Sequence, residues 1–317
     1  MANCIMQIIS QMALKRHALY IIKSTAALLV VFGTANATAQ GSESEVAKLL
    51  QKHEALKPQL VHNPFRRPLF LESVEKTNTV SSSVYAVLNS PFSRVSSTLK
   101  KPDGWCEVLI LHLNTKYCRA NTDTAKSTLA VNIGKKTPQP LSDAFSLEFS
   151  YSLVTASENY LSIELHADEG PLKTTDYAIV LHAAPLPEGK TFINLRYSYG
   201  YGLAGRLAMQ GYLSTLGRGK VGFTRIGTDA QSGFVEGMRG AVERNTMRYY
   251  LAIEAYLMSL TQPPAQQLDT RLKYWFDATE EYSQQLHEVD RQSYLTMKKE
   301  EYQRQQSVST STSVNTQ

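Results

Sequence analysis

Cysteine is scarce in this chain. Of 317 residues only Cys4, Cys106 and Cys118 are cysteine, and Cys4 lies in an N-terminal segment read below as removed on export. Two thiols are too few for a zinc site built on cysteine. The histidines supply no substitute: His53, His62, His112, His166, His182 and His287 are scattered, with no H-x-x-x-H or H-x-H pair. No metal site is therefore expected. A G-x-S-x-G nucleophile elbow is missing too, so no catalytic residue is singled out. A Ser-His-Asp set assembled only in space would leave no such trace. No internal repeat is present. The longest exporting-type apolar run, Ala26 to Phe32, is far shorter than the roughly 20 residues that span a bilayer.

That short run belongs to a recognisable unit. Lys15, Arg16 and Lys23 are the only charged residues among the first 39, the apolar run follows them, and Ala37-Thr38-Ala39 is an A-x-A cleavage site before Gln40. Basic region, apolar core and small residues at the cut make residues 1–39 a secretory signal peptide, cleaved between Ala39 and Gln40. Met12 would serve as a more ordinary start. No cysteine follows the cut, so no lipoprotein acceptor is expected. The expected location is periplasmic in a double-membraned bacterium and extracellular elsewhere. No transmembrane span is expected in the mature chain.

Export also changes the charge balance. The full chain has 33 basic and 28 acidic side chains, and the three basic residues that leave bring the mature chain to 30 against 28. A net charge of about +2 gives no reason to expect a nucleic-acid partner or an anionic membrane surface. Cys106 and Cys118, an even pair in an oxidising compartment, read as one disulfide, with two buried thiols as the alternative.

Along the mature chain, residues 40–68 form an N-terminal helix and connector. Ser42-Glu43-Ser44-Glu45 is a capping box, Pro58 is expected to end the helix, and Asn63 to Pro68 is extended. A second region, 69–262, carries strand candidates at Leu69–Val74 and Val84–Leu88. A helix then opens at Pro91 with Phe92, Val95 and Leu99 on its apolar face. Trp105 to Leu113, after the Gly104 turn, leans toward helix. From Tyr117 to Tyr199 apolar residues alternate with polar ones, as in Phe145-Ser146-Leu147-Glu148-Phe149, which marks half-buried antiparallel strands. Helices are expected at Leu203–Leu216 and at Gly233–Leu260, the second with the clearest apolar stripe. Residues 263–305 hold two more helices, about Gln266–Leu286 and Glu288–Gln305. Residues 306–317 are serine, threonine, asparagine, glutamine and valine, and read as a disordered tail.

The element order resembles the START-like or Bet v 1-like superfamily over roughly Leu69 to Leu260. The resemblance is carried by Val84-Tyr85-Ala86-Val87-Leu88, the Pro91–Leu99 helix, Trp105 after Gly104, and the strands to Tyr199. It implies an α+β helix-grip fold: a curved antiparallel sheet of about six to seven strands wrapped on a long helix, here with additional C-terminal helices. It also implies an apolar ligand held between sheet and helix. The chain departs from the pattern after the last strand, where a glycine-rich turn, the Leu203–Leu216 helix and a short extended piece intervene. Either long helix could therefore grip the sheet.

Four constellations stand out. Tyr197, Tyr199 and Tyr201 share one strand face and could present hydroxyls to a ligand, or simply form a cross-strand aromatic patch. Gly200-Tyr201-Gly202-Leu203-Ala204-Gly205 matches G-x-G-x-x-G between a strand and a helix. The surrounding sheet reads antiparallel, however, with no β-α-β unit, so the glycines are read as allowing close packing and no nucleotide cofactor is expected. Arg244, Asn245 and Arg248 lie one turn apart beside Tyr249 on the long helix, able to hold a carboxylate or phosphate or to form a solvated flank. His166-Ala167-Asp168-Glu169 reads as a loop at a strand end. The ligand-binding candidates are thus Trp105, Tyr197, Tyr199, Tyr201, Arg244, Asn245, Arg248 and Tyr249. The expected function is that of an exported envelope protein binding an apolar or amphipathic, lipid-like molecule. The alternative is a structural or assembly factor that engages an envelope protein partner through its C-terminal helices. No enzymatic activity is assigned.

Overall fold

The computed structural model describes residues 43–122, 126–215, 217–227 and 233–313. The signal peptide and its cleavage site at Ala39 and Gln40 lie outside the described residues. The chain divides into two units, Met1–Lys48 and Leu49–Gln317. Of the first, only the helical residues 43–48 are described, with Lys48 Nζ 2.7 Å from Glu45 Oε1. The second contains everything discussed below.

In the second unit, helix α1 covers residues 49–61. It does not stop at Pro58, as expected from sequence. A proline withholds only its own N–H, and the following turn closes normally, with the His62 N–H donating to the Pro58 carbonyl at 2.9 Å. Strands β1 (Leu69–Glu75) and β2 (Thr79–Leu88) form a hairpin, and helices α2 (Phe92–Leu99) and α3 (Pro102–Leu109) follow. The chain then meanders through β3 (Thr115–Asn121), β4 (Thr128–Ile133), β5 (Phe145–Ala156), β6 (Leu161–Glu169), β7 (Thr174–Leu186) and β8 (Lys190–Tyr201). Strand β8 pairs back onto β2, giving one antiparallel sheet of eight strands in the order β1-β2-β8-β7-β6-β5-β4-β3. His166 to Glu169 belong to β6 and are not a loop.

The count of eight exceeds the expected six to seven because β3 shows no alternation. Thr115, Lys116, Tyr117 and Cys118 are all buried, so both faces of this edge strand are covered. A disulfide joins Cys118 of β3 to Cys106 of α3, with the Cα atoms 5.2 Å apart. Closing a loop of 12 residues in this way contributes about 3 kcal/mol in the chain-entropy picture.

After β8 come α4 (Leu203–Ser214), the short pair β9 (Arg225–Ile226) and β10 (Gly233–Phe234), and the long helix α5 (Gly237–Ser259). Helix α5 is the one that grips the sheet, packing across β1, β2 and β8. It starts four residues later than its apolar stripe suggested. Gly237 has φ +65°, a left-handed backbone that turns the chain from β10 into the helix. Its far side is covered by α6 (Pro264–Glu280), so Tyr250, Leu251, Ala252 and Ile253, four consecutive residues, are all fully buried.

The C-terminal helices are therefore part of the core. The expected helix 266–286 is two, α6 and α7 (Ser283–Leu286), and α8 (Arg291–Ser313) follows. Trp275 of α6 donates its indole N–H to the Arg248 carbonyl at 3.1 Å and stacks on Tyr294 of α8. The expected disordered tail is helical as far as Ser313. Once a helix is nucleated, each further residue adds one hydrogen bond at little cost, even in a polar sequence.

Helix α8 is pinned to β3 by a buried charge cluster. Glu301 accepts from Lys116 Nζ at 2.9 Å and from Lys298 Nζ at 2.5 Å. Lys298 also donates to the carbonyls of His112 and Thr115, at 3.1 and 2.7 Å. Two ammonium groups thus share one carboxylate in the dry interior. Removing a partner from such a cluster leaves uncompensated buried charge. Glu301→Gln is accordingly expected to lower the free energy of unfolding by about 3 kcal/mol, read from the midpoint of urea denaturation. A change within error would show the cluster to be hydrated.

Candidate functional site

Helix α5 leaves the sheet as it runs past β8, and a cavity of about 840 Å³ opens between them. That lies within the roughly 300–1,000 Å³ typical of small-molecule sites. Its floor is apolar sheet: Val131 and Ile133 of β4, and Phe145, Leu147 and Phe149 of β5. Period-two alternation along these strands directs the residues to one face. Helix α4 contributes Met209 and Tyr212, and the turn before β7 contributes Pro171 and Leu172.

One wall is aromatic. Tyr177 of β7 stacks on Tyr199 of β8 at 5.3 Å between centroids, and Tyr197 meets Tyr249 of α5 edge-on at 5.3 Å. His112 lies against Tyr249 at 5.0 Å. Burial raises the ionisation of Tyr177, Tyr197, Tyr199 and Tyr249 above the ordinary phenol value. All four therefore stay neutral at physiological pH.

The opposite end is charged. Arg248 of α5 is 2 % exposed and donates to the Leu286 carbonyl at 3.3 Å and to Glu288 Oε1 at 2.8 Å. Lys136, on the segment after β4, reaches the same Glu288 oxygen at 2.5 Å, and Lys220 Nζ lies 3.7 Å from the other. Arg244, one turn back along α5, donates to the carbonyls of Lys220 and Val221, each at 3.2 Å. Burial, reinforced by Arg248, lowers Lys136 to about 8 and Arg244 to about 10. Burial alone would raise Glu288, but Arg248 and Lys136 outweigh it and hold the carboxyl below its ordinary value. Burial, then Arg248 and Lys298, keep His112 well below the ordinary imidazole value, so it is neutral.

Six of the eight sequence-derived candidates line this cavity: Tyr197, Tyr199, Arg244, Asn245, Arg248 and Tyr249. Two do not. Trp105 is fully buried between α2 and α3, with its indole N–H donating to the Leu99 carbonyl at 2.9 Å. It is a core residue that joins the two helices. Tyr201 lies on the same strand face as its two neighbours but at the strand end. Its hydroxyl is 3.2 Å from Glu75 Oε1 and from the Lys76 carbonyl, beside the β1–β2 turn. The reading of Arg244 and Arg248 as a solvated flank is also corrected: both are buried on a helix packed against α4, α6 and α7. Lys136, His112, Tyr177 and Glu288 escaped notice in the sequence. They are separated by tens to more than a hundred positions, and no local spacing connects them.

The G-x-G-x-x-G segment is explained by packing. A Cβ at Gly205 would come within 2.5 Å of the Lys173 carbonyl, so only glycine lets α4 seat against the turn before β7. His166 and Asp168 are 3.1 Å apart on the exposed face of β6. Among the described residues no group of three or more His, Cys, Asp or Glu is placed to hold a metal ion. No described helix is long and apolar enough to cross a membrane.

An antiparallel sheet closed on a long helix, with a cavity between them, defines the class as a helix-grip fold. No family model matches the chain, and no curated protein matches it. Solved structures do resemble it. Human StAR-related lipid transfer protein 5 is 12% identical with a TM-score of 0.35, covering 72% of this chain and 99% of that one. Norcoclaurine synthase from Thalictrum flavum is 14% identical with a TM-score of 0.32, covering 46% and 82%. A conserved protein from Geobacillus kaustophilus is 10% identical with a TM-score of 0.33, covering 57% and 95%. At such scores no residue role or ligand is carried across.

Two buried lysines make stability depend on pH in an unusual direction. Lys136 and Lys298 are both lowered to about 8, chiefly by burial, whereas an unfolded lysine titrates near 10.4. Between pH 8 and 10 the unfolded chain binds more protons than the folded one, so stability rises with pH. Above pH 10 the unfolded tyrosines ionise first and the trend reverses. The free energy of unfolding from urea denaturation should therefore be higher at pH 9.5 than at pH 7.5, by on the order of 2 kcal/mol. A fall over that interval would contradict the burial of these two amines.

Proposed function

We propose that this protein binds an apolar or amphipathic small molecule in the cavity between the sheet and α5. One observation carries the reading: about 840 Å³ of space is kept open between sheet and helices, floored by aliphatic and phenyl side chains. Close packing is the rule in protein interiors, and an unfilled space of this size forfeits contacts that a larger side chain at Ala241 or Val131 would restore. Retaining it is understandable when a ligand supplies the missing contacts.

Export goes with this reading, supported by the basic residues, short apolar core and A-x-A site of residues 1–39 and by a disulfide that needs an oxidising compartment. An exported carrier or sensor of a poorly soluble molecule fits both features. The alternative, a structural or assembly factor engaging an envelope protein through its C-terminal helices, has less support, because one side of those helices is taken up by the core. Trp275, Tyr294 and Lys298 are each buried in the core.

Native mass spectrometry of the protein from an export-competent host tests the ligand. A discrete excess mass that leaves on organic extraction is expected, and Ala241→Phe, which fills the cavity from α5, should abolish it while preserving the circular dichroism. A clean mass with no uptake from a lipid extract would overturn the reading. N-terminal sequencing of the same material tests export separately. Gln40 is the expected first residue, and an intact N-terminus would refute cleavage.

A further inference from the structure

Resting on the ligand-binding reading, we propose that the charged end of the cavity is an oxyanion site, which takes the carboxylate, sulfonate or phosphate head group of an amphiphile whose apolar body lies along β4 and β5. Charge counting points there. Four cations line the cavity, Lys135, Lys136, Arg244 and Arg248, against the carboxylates Asp143 and Glu288. Lys135 and Asp143 are exposed and offset one another at the mouth. The inner end is left with Lys136, Arg244 and Arg248 against Glu288 alone, and Lys220 adds a further cation 3.7 Å from that carboxylate.

Buried charge of one sign is costly unless it is paired. The protein accepts that cost here beside an open space, where a second anion would compensate it. The directional requirements agree. Arg248 Nε is buried and has no acceptor among the described residues. His112 Nδ1 accepts the Asn114 N–H at 3.2 Å, so its hydrogen sits on Nε2, which is buried beside the Asn245 side chain without a hydrogen bond of good geometry among the described residues. Both residues line the cavity. A guanidinium edge, an imidazole N–H and an ammonium bordering the same space, against the single carboxylate of Glu288, suit an oxyanion better than a cation. Charge-assisted bonds of this kind are worth enough to shift affinity by roughly 10- to 100-fold.

Two probes with the same ring system separate this proposal from the one beneath it. They are 8-anilino-1-naphthalenesulfonate and the uncharged N-phenyl-1-naphthylamine, each titrated by fluorescence into the mature protein. The anion should bind at least ~10-fold tighter, and each probe should displace the other. Arg244→Gln should erase that preference by weakening the anion ~10-fold or more while leaving the neutral probe unchanged. Because Arg244 also holds two backbone carbonyls, Lys136→Met provides a second variant, checked for folding by circular dichroism, with the same expected pattern. Dodecanoate should displace the sulfonate, and inorganic phosphate should not. Equal affinity for the two probes, unmoved by both substitutions, would overturn the oxyanion site and leave the apolar pocket standing. Displacement by inorganic phosphate would assign the site to a free anion and overturn the amphiphile. Binding of neither probe would remove the pocket itself.

Discussion

Helix α5 is buried along most of its length, and the remainder of the molecule is arranged around that constraint. One side of the helix lies on β1, β2 and β8, and the other lies under α6. Any polar residue on it must find its partner inside the protein, because burying a charge unpaired is prohibitive. Glu243 illustrates the solution. Its carboxylate accepts the N–H groups of Phe223 and Thr224, at 2.6 and 2.9 Å, and so ties the segment after α4 to the helix. Arg248 gathers Glu288 and the Leu286 carbonyl, which fixes the connection between α7 and α8. The charged residues of α5 thus act as anchors for loops that carry few apolar residues of their own.

The cavity follows from a mismatch of widths. A sheet of eight strands is too broad for a single helix to cover. Helix α5 meets one part of it, and α2 and α3 cover another, close to β7 and β3. Between them the surface over β4 and β5 is covered by α4, the turn before β7 and one border of α5 without being filled, and the space beneath stays open. The same elements bring the inner ends of Lys136, Arg244 and Arg248 to one border of that space, so an apolar pocket and a cationic patch share a wall.

Much of the architecture was legible in the sequence because it rests on local periodicity. Alternation in Phe145–Leu153 and Leu161–Leu165 reported half-buried strands, and the stripe from Met238 to Leu257 reported a long helix, though not that it is the one that grips the sheet. Signals failed where burial was two-sided or where capping was indirect. Strand β3 shows no alternation because α8 covers its outer side, and α5 begins at a positive-φ glycine that no apolar pattern marks. Trp105, a ligand candidate from sequence, sits in the core, and a single aromatic residue gives no sign of which side of a helix faces the cavity.

Local sequence thus determined the element order, the antiparallel alternation, the pairing of Cys106 with Cys118 as one of two readings, and the tyrosine face of β8. These depend on residues a few positions apart, where spacing alone reports geometry. Tertiary structure decided the rest. Only it joins Lys136, Arg248 and Glu288, which span more than 150 positions and meet within 2.8 Å because α5 and the α7–α8 connection converge on the end of β4. Only it turns the arginines of α5 inward, since whether a helical charge faces water depends on what the rest of the chain lays over it.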